Sequence, residues 1–223
     1  MSDDAKFTPA AGRAEWTPFY DFAIALLTRE RRWRGALLRQ TAPALGDRIM
    51  DVGCGTGTFA VMLKKAAPHA YVAGLDPDPE VLVRARAKAA KAIAEVVFRE
   101  GFARNADAEP ASFTKVVSSL VFHQVPMEEK RAGLSAMWRS LAPGGSLHVA
   151  DYGLQRTSLM RAAFRPVQRL DGFDNTEPNA RGVLPELMRD VGFVAVLETE
   201  VIATLTGSIS LYQALKPQAV PKE

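Results

Sequence analysis

Residues 49–59 read I-M-D-V-G-C-G-T-G-T-F and set three glycines, Gly53, Gly55 and Gly57, directly behind a short apolar run that carries Asp51. Glycine lets a backbone approach a ligand closely and take left-handed angles. A strand, a glycine-rich turn and a helix in succession make a nucleotide-binding crevice at the strand's carboxyl end. The dinucleotide spacing G-x-G-x-x-G requires glycine at position 58; that residue is Thr58, so the pattern here is G-x-G-x-G. The only cysteine, Cys54, stands inside this loop. A nucleophilic or redox thiol needs an adjacent base or a second cysteine, and the sequence offers neither. His123 follows an apolar run and has the side-chain type of a general base; the same position suits a structural donor to a backbone carbonyl. No H-x-x-H pair, cysteine pair or dense carboxylate cluster suggests a metal site. The absence of a Walker loop argues against phosphoryl transfer.

These residues need elements to position them. Apolar runs at 48–52, 70–75, 94–99, 115–120, 146–150, 193–200 and 208–215 read as strands. Helical patterns fall at 59–67, 79–92, 127–141 and 184–191, with Pro143-Gly144-Gly145 stopping the third. Residues 14–41 carry Trp16, Phe19, Tyr20, Leu26, Leu27, Trp33, Leu37 and Leu38 near helical spacing, so one or two amphipathic helices are expected there. Alternation of strands and helices predicts an α/β fold, a doubly wound, Rossmann-like, seven-stranded and mostly parallel sheet with helices on both faces. The turn T-L-T-G between the last two strands is too short for a parallel crossover, so one strand near the C-terminus is expected antiparallel at or near the sheet edge. Residues 153–182 have mixed character and are expected to form a lid or substrate element.

Bulk properties narrow the class. With 223 residues, 48% hydrophobic and 24% charged, the chain can bury a core and is not a disordered sequence. No apolar run approaches the roughly 18 residues of a membrane span. The polar start M-S-D-D-A-K is unlike a signal peptide and one cysteine fits a reducing compartment, so a cytoplasmic location is expected. Net charge is only +3, but Arg29, Arg31, Arg32, Arg34 and Arg39 crowd one segment. That segment is either a solvated helix face or a surface attracting anionic groups. Without a zinc finger, a stacking-aromatic motif or a basic tail, a nucleic-acid partner is not indicated. Nothing in the sequence fixes the oligomeric state.

D-V-G-C-G-T-G resembles the first motif of the class I S-adenosylmethionine-dependent methyltransferases. The resemblance continues in Leu75-Asp76 about twenty residues on, in V-V-S-S-L-V-F-H-Q-V-P, in R-S-L-A-P-G-G-S-L-H-V-A-D and in D-V-G-F-V-A-V-L-E-T, and so spans about residues 14–216. Y-D-F-A-I-A-L-L-T-R-E-R-R-W-R and L-T-G-S-I-S-L-Y-Q-A-L-K are most similar to the ubiquinone/menaquinone C-methyltransferase group. The resemblance implies S-adenosyl-L-methionine as cofactor and S-adenosyl-L-homocysteine as product. It assigns Asp51, Gly53, Cys54, Gly55 and Gly57 to the cofactor loop, Cys54 only as a small side chain. Asp76 would hold the ribose hydroxyls, Pro77 would pack on adenine, and Ser119, Leu120 and Val121 would flank the methionine part through backbone atoms. Tyr20 would close over the cofactor. Relatives often carry Gly-Asp-Ala where this chain has Gly101, Phe102 and Ala103, so adenine loses its usual carboxylate; Asp107 is a substitute. His123, Asp151 and Tyr152 would face the acceptor, and Phe164, Leu170 and Phe173 could line an apolar pocket for it.

The expected organisation is an N-terminal arm and helical cap over 1–41, a cofactor-binding domain over 42–216 with the substrate insert at 153–182, and a tail over 217–223. The favoured reading is a methyltransferase acting on a small-molecule or lipid-like acceptor, aromatic or quinone-like. A non-catalytic module that keeps the fold and a nicotinamide-dependent oxidoreductase are the competing readings.

Overall fold

The computed structural model describes residues 28–218. Tyr20, together with Trp16, Phe19, Phe22 and Leu26, lies outside the described residues. A seven-stranded sheet has the order β3-β2-β1-β4-β5-β7-β6. Its strands are β1 (Arg48–Val52), β2 (Tyr71–Asp76), β3 (Val97–Glu100), β4 (Phe113–Ser119), β5 (Leu141–Tyr152), β6 (Val194–Thr204) and β7 (Gly207–Leu215). All pairs from β3 to β5 are parallel, whereas β7 runs antiparallel to both β5 and β6. The reversed strand is therefore β7, one place in from the edge. Only Leu205 and Thr206 separate it from β6, a connection that can join only antiparallel strands.

Helices cover both faces: α1 (Glu30–Thr41), α2 (Thr58–Ala66), α3 (Pro79–Lys91), α4 (Met127–Ser140), α5 (Ser158–Asp171), α6 (Phe173–Ala180) and α7 (Leu184–Val191). Alternation along each strand divides the core. Ile49, Val72 and Val117 pack with Leu37 of α1, Phe59 of α2, Leu82 of α3 and Phe164 of α5. Met50, Ala73 and Val116 pack with Leu134 and Met137 of α4 and Leu187 of α7. Burying such side chains on both faces is what makes the β1 and β4 runs almost continuously apolar. Among the described residues, no helix is long and apolar enough to cross a membrane.

Three elements depart from the expected boundaries. Residues 94–96 do not extend β3, because Ile93 turns into the left-handed region (φ 52) and the Ala94 amide returns to Ala89 of α3. β5 begins at Leu141, so the Pro-Gly-Gly stretch is an irregularity inside the strand rather than a loop before it. The segment 153–182 folds into α5 and α6, which carry Pro166 and Pro178 in their interiors. Internal proline removes an N–H and clashes one turn back, so the pattern there read as irregular.

Candidate functional site

Sheet order reverses between β1 and β4, and in an open parallel sheet the crevice lies at the carboxyl ends on either side of that point. The loop after β1 fills one side. Gly53, Gly55 and Gly57 all have positive φ (72, 51 and 72). At Gly53 a Cβ would overlap Cγ2 of Val121 from the turn after β4, so any larger residue forces that side chain or the loop to shift. At Gly55 a Cβ would meet nothing within 4 Å, so this face of the loop is open to a ligand. Lys88 of α3 binds the hydroxyls of Thr56 (2.7 Å) and Thr58 (2.6 Å), tying the loop to the neighbouring helix.

Two carboxylates frame the loop. Asp76, at the end of β2, accepts from the Gly55 amide (2.8 Å) and the Asp78 amide (3.1 Å). Asp78 in turn caps α3 through the amides of Glu80 and Val81. Asp51 is buried in β1, and neither of its oxygens has a hydrogen-bond partner at normal geometry. Burial raises its pKa to about 7, partly offset by the Arg34 guanidinium. Burial is also the main reason the Asp76 carboxyl is raised above the usual range. Cys54 points inward against Gly74, and burial with both carboxylates nearby pushes its thiol far up. A neutral buried thiol is inert.

The third loop places Phe102 under the Arg104 guanidinium (4.3 Å), while Arg104 also pairs with Glu129 (2.8 Å). Asp107, the substitute carboxylate, is engaged by Arg139 at 2.6 Å. The Thr114 hydroxyl donates to Asp47 (2.8 Å), at the opposite end of β4 from the crevice.

Across the crevice, Ser119 ends β4 and Leu120 adopts a left-handed φ of 56. That costs a non-glycine residue roughly 1–2 kcal/mol, and the Leu120 amide is held by the Ala150 carbonyl (2.9 Å). A short 3₁₀ turn, Phe122–Gln124, follows. Asp151, fully buried at the end of β5, organises it by accepting from the Phe122 amide (2.7 Å), the Tyr152 amide (2.8 Å) and His123 Nδ1 (2.8 Å). His123 Nε2 faces Asp171 of α5 at 3.4 Å. Burial lowers the histidine's pKa, but the two carboxylates outweigh it and hold the imidazole at about 9. The two flanking carboxylates favour the imidazolium form, in which both nitrogens donate, and the Tyr152 ring stands edge-on at 4.9 Å. In that form His123 has no lone pair with which to act as a base.

Lys130 of α4 is completely buried below the turn. Its ammonium donates to the carbonyls of Phe122, Val125 (2.6 Å) and Asn175 (2.9 Å). Burial lowers its pKa to about 8. The Asn175 side chain closes the link by donating to the Gln124 carbonyl (3.2 Å).

The structure thus gathers Asp51, Gly53, Gly55, Gly57 and Asp76 on one side and Ser119, Leu120, Val121, His123, Asp151 and Tyr152 on the other. It does not gather the proposed apolar trio: Phe164 packs on Tyr152 in the core (4.8 Å), while Leu170 and Phe173 are exposed. The inward face of α5 takes Phe164 and Val167, which leaves Leu170 on the outside. Arg34, Lys88, Lys130 and Asp171 were not anticipated. Lys88 and Asp171 reach partners far along the chain, while Lys130 joins the turn just before it to Asn175, and only the mismatch of a lysine on the apolar side of α4 could have flagged one of them.

Residues 49–145 match the family model for a methyltransferase domain. A demethylmenaquinone methyltransferase of Deinococcus radiodurans is 31% identical over 212 residues, 91% of this chain and 85% of that protein. A demethylmenaquinone methyltransferase of Thermus thermophilus is 36% identical over 141 residues, 62% of this chain and 63% of that protein. Among solved structures, a Haemonchus contortus phosphoethanolamine N-methyltransferase 2 with phosphomonomethylethanolamine and S-adenosylhomocysteine superposes with a TM-score of 0.74 at 18% identity, over 94% of this chain and 59% of that one.

Proposed function

The chain belongs to the S-adenosylmethionine-dependent methyltransferase family, and on that premise we propose that it methylates a lipid-like hydroxyaromatic acceptor of the quinone type. The observation that carries this reading is the meeting, at the carboxyl ends of β1 and β4, of an open glycine loop framed by Asp51 and Asp76 with the buried His123–Asp151 pair. The demethylmenaquinone methyltransferases at 31% and 36% identity support the acceptor class.

The cofactor supplies a methyl group on a sulfonium, already activated toward a nucleophile. The chain's residues fit it. Asp76, fixed by the Gly55 and Asp78 amides, keeps lone pairs for ribose hydroxyls. Asp51, buried without a hydrogen bond, is a site for the ammonium of the methionine end. Gly53, Gly57 and Cys54 shape the loop, and the backbone of Ser119, Leu120 and Val121 walls the methionine part. Pro77 with Gly101, Phe102 and Ala103 borders the adenine; Phe102 contributes a ring face where a carboxylate is absent. Tyr20 belongs to the segment that would cover the site.

On the acceptor side, a ring carbon becomes nucleophilic once its hydroxyl has given its proton to solvent, so that the acceptor is bound as the phenolate and the chain need supply no base. His123 lies between Asp151 and Asp171 with both ring nitrogens engaged, so its part in this reading is to hold the turn that walls the acceptor side. Asp151 fixes its orientation, and Tyr152 packs beside it. Holding the ring carbon in line with the methyl group supplies roughly 7–11 kcal/mol of the barrier by orientation alone. Residues 42–216 act as the cofactor-binding domain in this reading, and 153–182 as its acceptor-side element.

Calorimetry with S-adenosylmethionine and S-adenosylhomocysteine, on the wild type and Asp76→Ala, tests the cofactor half. Micromolar binding that collapses in the variant is expected; no binding to a folded wild type would overturn it. Methylation of reduced demethylmenaquinone, followed by mass spectrometry, tests the acceptor, and absence of product with a bound cofactor would remove that class.

A further inference from the structure

We propose that the outer face of α5 docks on an anionic lipid surface and presents the site to an acceptor held there. The inference rests on the lipid-like acceptor reading for its purpose, not for its geometry.

The inward side of α5 is accounted for by Phe164 and Val167. The outward side has two stripes. Leu159, Ala162, Pro166 and Leu170 recur at i, i+3, i+7 and i+11, with Leu159 77% and Leu170 68% exposed. Such spacing puts them on one line along the helix. Beside that line run Arg161, Arg165 and Arg169, four residues apart. Arg161 is paired with Glu177. Arg165 and Arg169 are exposed and make no ion pair or hydrogen bond among the described residues.

The only acidic residue of α5, Asp171, is turned inward onto His123, so every charge on the outer face is positive. An apolar stripe flanked by arginines is the pattern of a helix lying in a lipid interface, with attraction to anionic headgroups added to apolar burial. The character changes beyond Phe173. There a groove of about 510 Å³ is lined by Asp174, Glu177 and Glu186 together with Arg181, which pairs with Glu177, so the one-signed basic face is confined to α5. The carboxyl end of α5 touches the site through Asp171 and His123. A surface contacted by α5 therefore lies next to the acceptor side.

The full chain is sedimented with vesicles of phosphatidylcholine alone and of phosphatidylcholine mixed with phosphatidylglycerol. Binding to the mixed vesicles only is expected. Arg165→Gln with Arg169→Gln should weaken it about thirty-fold, from roughly 1 kcal/mol per arginine. Leu159→Gln with Leu170→Gln should weaken it as well. Both pairs should leave the thermal midpoint and S-adenosylhomocysteine affinity unchanged without vesicles. Equal binding to both vesicle types, no binding to either, or indifference to both pairs overturns the proposal. A lowered midpoint in the leucine pair would show that the chain's own residues 1–27 cover the stripe. A shift in solution mass would show a second copy there, and either result also overturns it. Vesicle binding with no methylation of reduced demethylmenaquinone would instead sink the acceptor reading and leave the docking face standing.

Discussion

The loop after β1 and the turn after β4 face each other across one crevice and are built in opposite ways. The first is backbone: seven consecutive residues, 51–57, with positive φ at each glycine and one carboxylate, Asp76, bracing an amide. The second is buried charge drawn from several elements: Lys130 from the helix that follows the turn, Asp151 from β5, Asp171 from α5, and the Asn175 carbonyl from α6. A cofactor site with one fixed ligand can be encoded locally. A site that must meet an acceptor is assembled from the elements that surround it, so changes in those elements reach it directly.

The largest expected effect separates the two. Gly53→Ala puts a methyl group into Val121 at φ +72. Cofactor affinity should fall by at least about a hundredfold, since roughly 1–2 kcal/mol of backbone strain adds to an overlap that only a shift of Val121 or the loop relieves. Gly53→Ala with Val121→Ala removes the overlap and keeps the strain, so it should recover to within about tenfold of the wild type. Calorimetry with S-adenosylhomocysteine reads both. No recovery in the pair would mean that the angle, not the contact, governs the loop.

Next comes Lys130→Met. It keeps the apolar stem and orphans three carbonyls, at roughly 1–3 kcal/mol each when buried. A loss of about 3 kcal/mol or more in unfolding free energy is expected by denaturant titration. S-adenosylhomocysteine affinity of the folded protein should stay within about threefold, because no bond of Lys130 reaches the loop after β1. An equal fall in affinity would break the division between the two regions.

That division also explains what could be read from the sequence. The seven strands, one reversed strand near the C-terminus and the glycine loop follow from patterns contained in short stretches: apolar runs, the T-L-T-G turn, three glycines at fixed spacing; the order of the strands does not. His123, Asp151 and Tyr152 could be placed at strand ends by the same logic. The partners of His123 could not be read, because the Asp171 that faces it sits in α5, a helix that Pro166 disguised. Composition hid the orientation of that helix as well: Leu170 and Phe173 look like pocket lining until α5 is seen to turn Phe164 and Val167 inward instead.

A smaller effect tests the charge on His123. Its folded pKa, about 9, lies above the ordinary value of 6.5. The stabilisation is therefore fully present below about pH 6.5 and lost as pH rises through 9. A tenfold change in proton affinity corresponds to roughly 1.4 kcal/mol, so the proton on this imidazole stabilises the fold by about 3 kcal/mol. His123→Gln removes that slope. Lys130, lowered to about 8, adds an opposite slope above pH 8 in both proteins, so the difference between wild type and variant isolates the histidine. A difference that stays flat from pH 6.5 to 9 would show that the imidazole is neutral in the folded state and free to act as a base.

The smallest effect belongs to the residue whose chemistry is most conspicuous in the sequence. Cys54 lies inside the cofactor loop, yet its thiol packs against Gly74 and is held neutral by burial beside Asp51 and Asp76. Among the described residues its polar contact is a 3.8 Å approach to the Gly55 carbonyl. Cys54→Ala should therefore leave cofactor affinity and turnover within about threefold, at a stability cost near 1 kcal/mol for the small void. The native thiol should resist iodoacetamide at pH 8 and react once the chain is unfolded. Rapid alkylation of the folded protein would require a thiolate, which burial and the neighbouring carboxylates of Asp51 and Asp76 oppose. It would mean that the loop opens far enough to hydrate the sulfur, and that the region built from backbone is the more mobile of the two.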